Sequence, residues 1–245
     1  MKDIADFFML LYLLIVGFFK LIIFFFGLFV LPFYIWKHYD DLKRRSADMA
    51  FMARKQGLKF EQAFDRKMSR KLRFLRKVRG SRHYAINVMS GKFEGHSVTM
   101  FEYHFQRYFN CKVHEYSKWI EHNYVSYFVL DLEKDFPELS VKKEQPGSKI
   151  AARIADAIGR GDIDFESHEF SEQFDVRGTS KKFAYDFCNS QMMEYLLSRR
   201  IIPIEVERTA LAVSSDGGLR RVDIKPNVEH LVRLRELMPD YLFST

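Results

Sequence analysis

Residues 82–105 read RHYAINVMSGKFEGHSVTMFEYHF, and this stretch decides the fold. Tyr84, Ile86 and Val88 fall on alternate positions, and Phe101, Tyr103 and Phe105 do so again. Period two marks half-buried strands. Ser90 to Gly95, with two glycines, separates the two runs as a turn, so the segment is expected to be a β-hairpin.

Downstream, residues 123–132 are apolar on both faces and suit a central strand, and residues 139–144 make a fourth after the Phe136-Pro137 turn. Residues 148–158 place Ile150, Ile154 and Ile158 on one helical stripe. Residues 169–176 read as a strand with Phe170, Phe174 and Val176. Thr179 is expected to cap a long helix to Arg199. Strands follow at 202–209, 210–215 and 219–224, with Asp216-Gly217-Gly218 as a turn, and residues 228–238 form a last helix. The sum is an α+β domain: an antiparallel sheet, inserted helices and a closing C-terminal helix. Its outline is reminiscent of pleckstrin-homology-like domains, an analogy of fold that carries no function.

Upstream, residues 59–79 carry Phe60, Phe64, Met68, Leu72, Leu75 and Val78 every three or four positions, which predicts an amphipathic helix. Residues 37–56 should be helical too, ending at Gly57. Together residues 37–80 are expected to form a basic helical neck. Residues 37–82 hold sixteen Lys or Arg against five Asp or Glu. The chain's net charge of +7 is therefore concentrated there, and the domain of residues 81–245 is mildly acidic.

Before the neck lies FFMLLYLLIVGFFKLIIFFFGLFVLPFYIW, residues 7–36, whose sole charge is Lys20. A helix of this length and composition suits one tilted transmembrane span; a re-entrant hairpin bent near Lys20 is the alternative. Residues 1–36 are thus expected to be the anchor. Lys37, Lys43, Arg44 and Arg45 follow the block, whereas Lys2, Asp3 and Asp6 precede it, so the larger part should face the cytoplasm of an inner or plasma membrane. Cys111 and Cys188, far apart and outside any CxxC pattern, are then expected to stay reduced.

The neck offers Lys43, Arg44, Arg45, Arg66, Lys67, Arg70 and Lys71 to anionic lipid headgroups. Basic residues alone do not make a nucleic-acid site, and none is expected. Tyr108, Phe109, Tyr116 and Trp119, in the 106–120 connection, are candidates for a protein-binding patch. Carboxylates at alternate positions share one side of a strand, so Asp162, Asp164, Glu166 and His168 could converge on a hard cation in a metal-dependent hydrolase. The bland reading makes them the solvated side of an edge strand. The histidines at 83, 96, 104, 114 and 122 lack zinc-protease spacing and read as filler. There is no Gly-rich phosphate loop and no nucleophile elbow, so no cofactor and no catalytic residue is expected.

The run Gly80 to Gly91 (GSRHYAINVMSG), followed by Gly95 and Met100-Phe-Glu-Tyr103, resembles a family of uncharacterised bacterial membrane-anchored proteins. Gly161-Asp-Ile-Asp-Phe-Glu166 and Glu169-Phe-Ser-Glu-Gln-Phe174 fit the same resemblance, which covers roughly residues 80–210. It implies a membrane anchor with a cytoplasmic α+β domain and transfers no catalytic residue. The expectation is a non-catalytic interaction or scaffold protein, with self-association through the Phe-rich span open.

Overall fold

The computed structural model describes residues 2–62, 64–110, 118–144, 165–200 and 202–244. For residues 2–6, 38, 39, 41, 42, 45, 109, 110, 118 and 119 it describes the backbone alone. The predicted helix at 148–158 lies outside these residues, as does Cys111. The chain divides into two compact units, Met1–Asp48 and Met49–Thr245.

The first unit is helical. Helix α1 (Lys2–Phe25) runs through a π-helical stretch at Phe26–Val30 into α2 (Leu31–Lys55). The helix is continuous at Lys20, with no hairpin bend. From Phe7 to Lys37, 31 residues, it is long and apolar enough to cross a membrane. Helix α2 stops where expected. Leu58 N donates back to Ala53 O at 2.8 Å, and Gly57 takes a φ of +69° that closes the end without strain.

The second unit is built on one antiparallel sheet. Its strands are β1 (Lys59–Glu61), β2 (Ser81–Phe93), β3 (His96–Asn110), β4 (Lys118–Lys143), β5 (Phe174–Gly178) and β6 (Ile204–Asp216). They run in the order β1-β2-β3-β4-β5, with β6 also on β4. The hairpin of β2 and β3 is as expected, with a tighter turn. Lys92 pairs with Ser97 and Phe93 with His96, so only Glu94 and Gly95 make the loop. Their φ values of +50° and +88° are those of a primed two-residue turn, whose twist matches the strands.

The two strands expected at 123–132 and 139–144 are a single β4, bent where its register with β6 shifts between Asp131 and Leu139. Glu133 sits there at a φ of +59°. Before the bend β4 lies between β3 and β6, and beyond it between β5 and β6. Strand β6 follows the bend so closely that Ser214 N donates to Pro203 O at 3.2 Å, bringing its two ends together.

Four helices complete the described part: α3 (Met68–Lys71), α4 (His168–Gln173), α5 (Lys181–Phe187) and α6 (Ser190–Leu197), before the long α7 (Arg221–Leu237). Three expectations are corrected here. Residues 169–173 are not strand, because the Ser167 hydroxyl caps α4 by accepting from Phe170 N. The long helix at 179–199 is two helices. Ser180, not Thr179, caps α5, and Asn189 caps α6 by accepting from Met192 N at 3.0 Å. Asn189 Nδ2 also donates to Leu237 O at 2.9 Å, so the break is tied to α7. Residues 221–224 are the first turn of α7 rather than strand. Asp223 suits the positive end of that helix, and Pro226 frees only the carbonyl of the exposed Val222.

The largest correction concerns residues 59–79, which are not an amphipathic helix. Lys59–Glu61 pairs with β2, and residues 68–77 make only α3 and a 3-10 turn at Arg73–Lys77. The spacing of apolar residues was real, but tertiary partners claim the backbone. Asp65 and Ala85 exchange both backbone hydrogen bonds, at 2.8 and 2.9 Å, and Asp65 Oδ1 accepts from Lys67 N at 2.7 Å. Phe74 N donates to the buried Glu207 carboxylate at 2.9 Å. A continuous helix would have to give up all four bonds.

The sheet therefore has two differently covered faces. On one, Met100, Phe128, Leu130, Val141 and Val206 pack with Phe183, Phe187, Met192, Leu231 and Leu234 of the helices, and with Met49, Met52 and Ala53. On the other, Phe101, Tyr103, Tyr127, Val129 and Ala212 pack with Met68, Phe74 and Leu75 of the 64–79 segment.

Candidate functional site

The 64–79 segment lies across its sheet face as a strap with its apolar side chains turned in. Met68, Phe74 and Leu75 are buried, which leaves the intervening residues on the outside. Arg66, Lys67, Arg70, Lys71, Arg73, Arg76, Lys77 and Arg79 are all exposed. Three are lightly balanced: Lys71 by Asp65 at 3.6 Å, Arg73 by Glu207 at 3.7 Å and Lys77 by Glu138 at 3.6 Å. Arg76 Nε donates to Ser69 O at 2.9 Å. Arg66, Lys67, Arg70 and Arg79 make no ion pair with a described residue. Phe64, beside them, is 69% exposed and meets the Tyr84 ring edge-on, with 5.0 Å between ring centres.

Such a surface can attract an anionic layer through charge and offer one aromatic ring to it. The four strap residues singled out in the sequence, Arg66, Lys67, Arg70 and Lys71, thus share one exposed segment, although it is not one continuous helix. The other three lie on α2. There Lys43 and Arg44 are exposed and Arg44 Nε pairs with Asp40 at 2.7 Å, while the Arg45 side chain is outside the described residues.

Residues 106–110 and 118–122, read in the sequence as a connection, continue the ladder. Arg107 pairs with Glu121, Tyr108 with Ile120, Phe109 with Trp119 and Asn110 with Lys118. The ribbon lengthens β3 and β4 beyond the end of β2, whose pairing with β3 stops at Ser81 and Gln106. Tyr108 and Ile120 face each other across it and are each 51% exposed. Tyr116 lies outside the described residues, as do the side chains of Phe109 and Trp119.

Towards the core the same ribbon face turns polar. His104, only 1% exposed, brings Nε2 to 2.9 Å from His122 Nδ1 and stacks on Tyr84 at 4.3 Å. Burial pushes the His104 pKa below its ordinary value, against the Arg82 carbonyl beside Nδ1. Period two could have placed His104 and His122 on one face, but their cross-strand meeting needs the register. Reading them as filler missed this pair.

The acidic cluster is only partly described, since Asp162 and Asp164 lie outside. Glu166 is exposed and His168 sits in the first turn of α4, 3.3 Å from Glu172. These two residues do not alternate along a strand, which removes the geometric premise for their convergence. Among the described residues, no group of three or more His, Cys, Asp or Glu is placed to hold a metal ion. Cys188 is a buried free thiol whose pKa burial pushes well up, so it packs as an apolar group.

No family model matches the chain, and no curated protein matches it in sequence. Among solved structures, the mycobacterial trehalose monomycolate transport factor A, TtfA, is similar in fold. The match has a TM-score of 0.50 over 79% of this chain and 92% of that chain, at 11% identity. At that identity the likeness is one of fold alone.

Proposed function

We propose that this chain is a membrane-anchored, non-catalytic interaction protein that presents an α+β domain at an anionic membrane surface. The observation that carries the reading is the strap. Eight exposed basic residues cover one sheet face of a chain that also holds a helix able to cross a membrane. The Lys and Arg excess after residue 36 supports a single pass with the domain in the cytoplasm. The exposed Tyr108–Ile120 pair supports a protein partner, and the Phe-rich span a second copy of the chain. The fold shared with a protein named as a transport factor supports an accessory role of this kind.

Residues 37–245, without the span, are expected to bind phosphatidylglycerol vesicles at low salt and to release them as salt screens the charges. A basic residue near such a surface contributes roughly 1 kcal/mol. Changing Arg66, Lys67, Arg70 and Lys71 together to Gln should therefore weaken partitioning at least tenfold in a sedimentation assay. Equal binding to neutral vesicles, or no change in the fourfold variant, defeats the reading.

A further inference from the structure

On the helical side, away from the strap, an open cavity of about 440 Å³ lies between the end of α6 and the first turns of α7. Ser198, Arg199, Arg200, Ile202, Asn227 and His230 line it. No described residue of this lining carries a carboxylate. Neither Arg199 nor Arg200 forms an ion pair with a described residue. The adjoining cavity of about 350 Å³ differs, because Glu94, Glu229 and Glu236 accompany its Arg199 and Arg233. The groove of about 650 Å³ between α4 and α6 is acidic, with Glu166, Glu169 and Glu194. Of the hollows on this side, this one alone is lined by arginine without a carboxylate.

His230 adds directed chemistry. It is 4% exposed, and its Nδ1 lies 2.9 Å from the Tyr195 hydroxyl. Burial, and then the nearby Arg199 charge, lower its pKa to about 4, so the ring is neutral at ordinary pH. When Tyr195 donates to Nδ1, the ring proton sits on Nε2, which has no hydrogen-bond partner among the described residues. The Arg199 guanidinium lies over the Tyr195 ring, 5.1 Å from its centre. This contact steadies the arginine that the cavity shares with its neighbour.

A neutral N–H donor beside two guanidinium groups fits a tetrahedral oxyanion, which accepts several charge-assisted bonds at once. We propose that this cavity binds a phosphate group, with Arg199 and Arg200 supplying charge and His230 Nε2 supplying a directed donor. The group belongs either to a soluble phosphoester or to a phospholipid headgroup. The site is separate from the strap, which offers charge without a cavity.

The test uses the full chain in dodecyl maltoside, which contains no phosphate, with glycerol phosphate titrated by calorimetry against sodium chloride of equal ionic strength. Saturable binding that Arg200→Gln weakens at least tenfold, and that Arg221→Gln on the exposed face of α7 leaves within twofold, establishes a soluble ligand. If glycerol phosphate gives no heat, the same variants are compared for binding of short-chain phosphatidylglycerol. A tenfold loss confined to Arg200→Gln then assigns a lipid headgroup. Because Arg200 is exposed, its replacement leaves the fold intact, and unchanged melting of the variant checks this. No binding of either ligand, or equal binding by wild type and Arg200→Gln, overturns the site.

Discussion

The two faces of the sheet are covered by opposite means. One is sealed by helices whose inner residues, Met192, Leu231 and Leu234, are fully buried. The other is sealed by a strap with little regular structure, fastened by Met68, Phe74, Leu75 and the carboxylate of Glu207. Helices satisfy their own backbone groups and need only an apolar stripe from the fold. A strap leaves donors open and must borrow acceptors from the sheet, as Phe74 N does from Glu207. What it gains is a surface on which nearly every residue not used as an anchor can be basic.

This contrast can be broken from the helical side first. Leu231→Ala removes a fully buried α7 side chain and should cost about 3 kcal/mol, within the usual 2–5 for such cavities. Denaturant unfolding should show the whole second unit losing stability in one transition; a loss confined to α7 would mean that the helices are not an integral cover.

His230 sharpens the same side through pH. Its folded pKa of about 4 lies below the ordinary value of 6.5. The neutral ring's contribution is therefore complete above about pH 6.5 and is lost as pH falls towards 4. Full loss amounts to roughly 3 kcal/mol. Carboxylates titrate in the same window, so the measurement is the difference in unfolding free energy between pH 7 and pH 4.5, in wild type and in His230→Gln. The variant should show the smaller fall, and an equal fall would remove His230 as the cause.

The strap should respond least in energy but most locally. Glu207→Ala leaves the buried Phe74 N–H without its acceptor and releases Arg73, at a cost of about 2 kcal/mol. Amide exchange in residues 68–78 should rise well before exchange in β4 does. Uniform acceleration across the sheet would show that strap and sheet are one cooperative element.

The same contrast explains what could be read from the chain. The β2–β3 hairpin, the central place of β4, the end of α2 at Gly57 and the closing helix were legible because local pattern and final structure agree. The strap was not, because its 3.6-like spacing at Met68, Leu72 and Leu75 is also the spacing of anchors on an irregular segment. The deciding bonds run to Ala85 and Glu207, far along the chain. Asn189 was read as helix interior although its side chain serves equally as a cap. Of the site residues, the exposed cations of the strap followed from composition, since Lys and Arg seldom bury. The His104–His122 contact and the His230 cavity depend on register and helix packing, which no single segment encodes.

The bent strand β4 has a consequence for how the domain comes apart. With β6 it is common to both arms of the sheet, pairing with β3 and β6 before the bend and with β5 and β6 after it. Removing β4 would therefore have to break the ladders of both arms together, whereas β1, which pairs with β2 through three residues, can leave first. The middle of the sheet is thus expected to yield as a whole, while its β1 edge can fray.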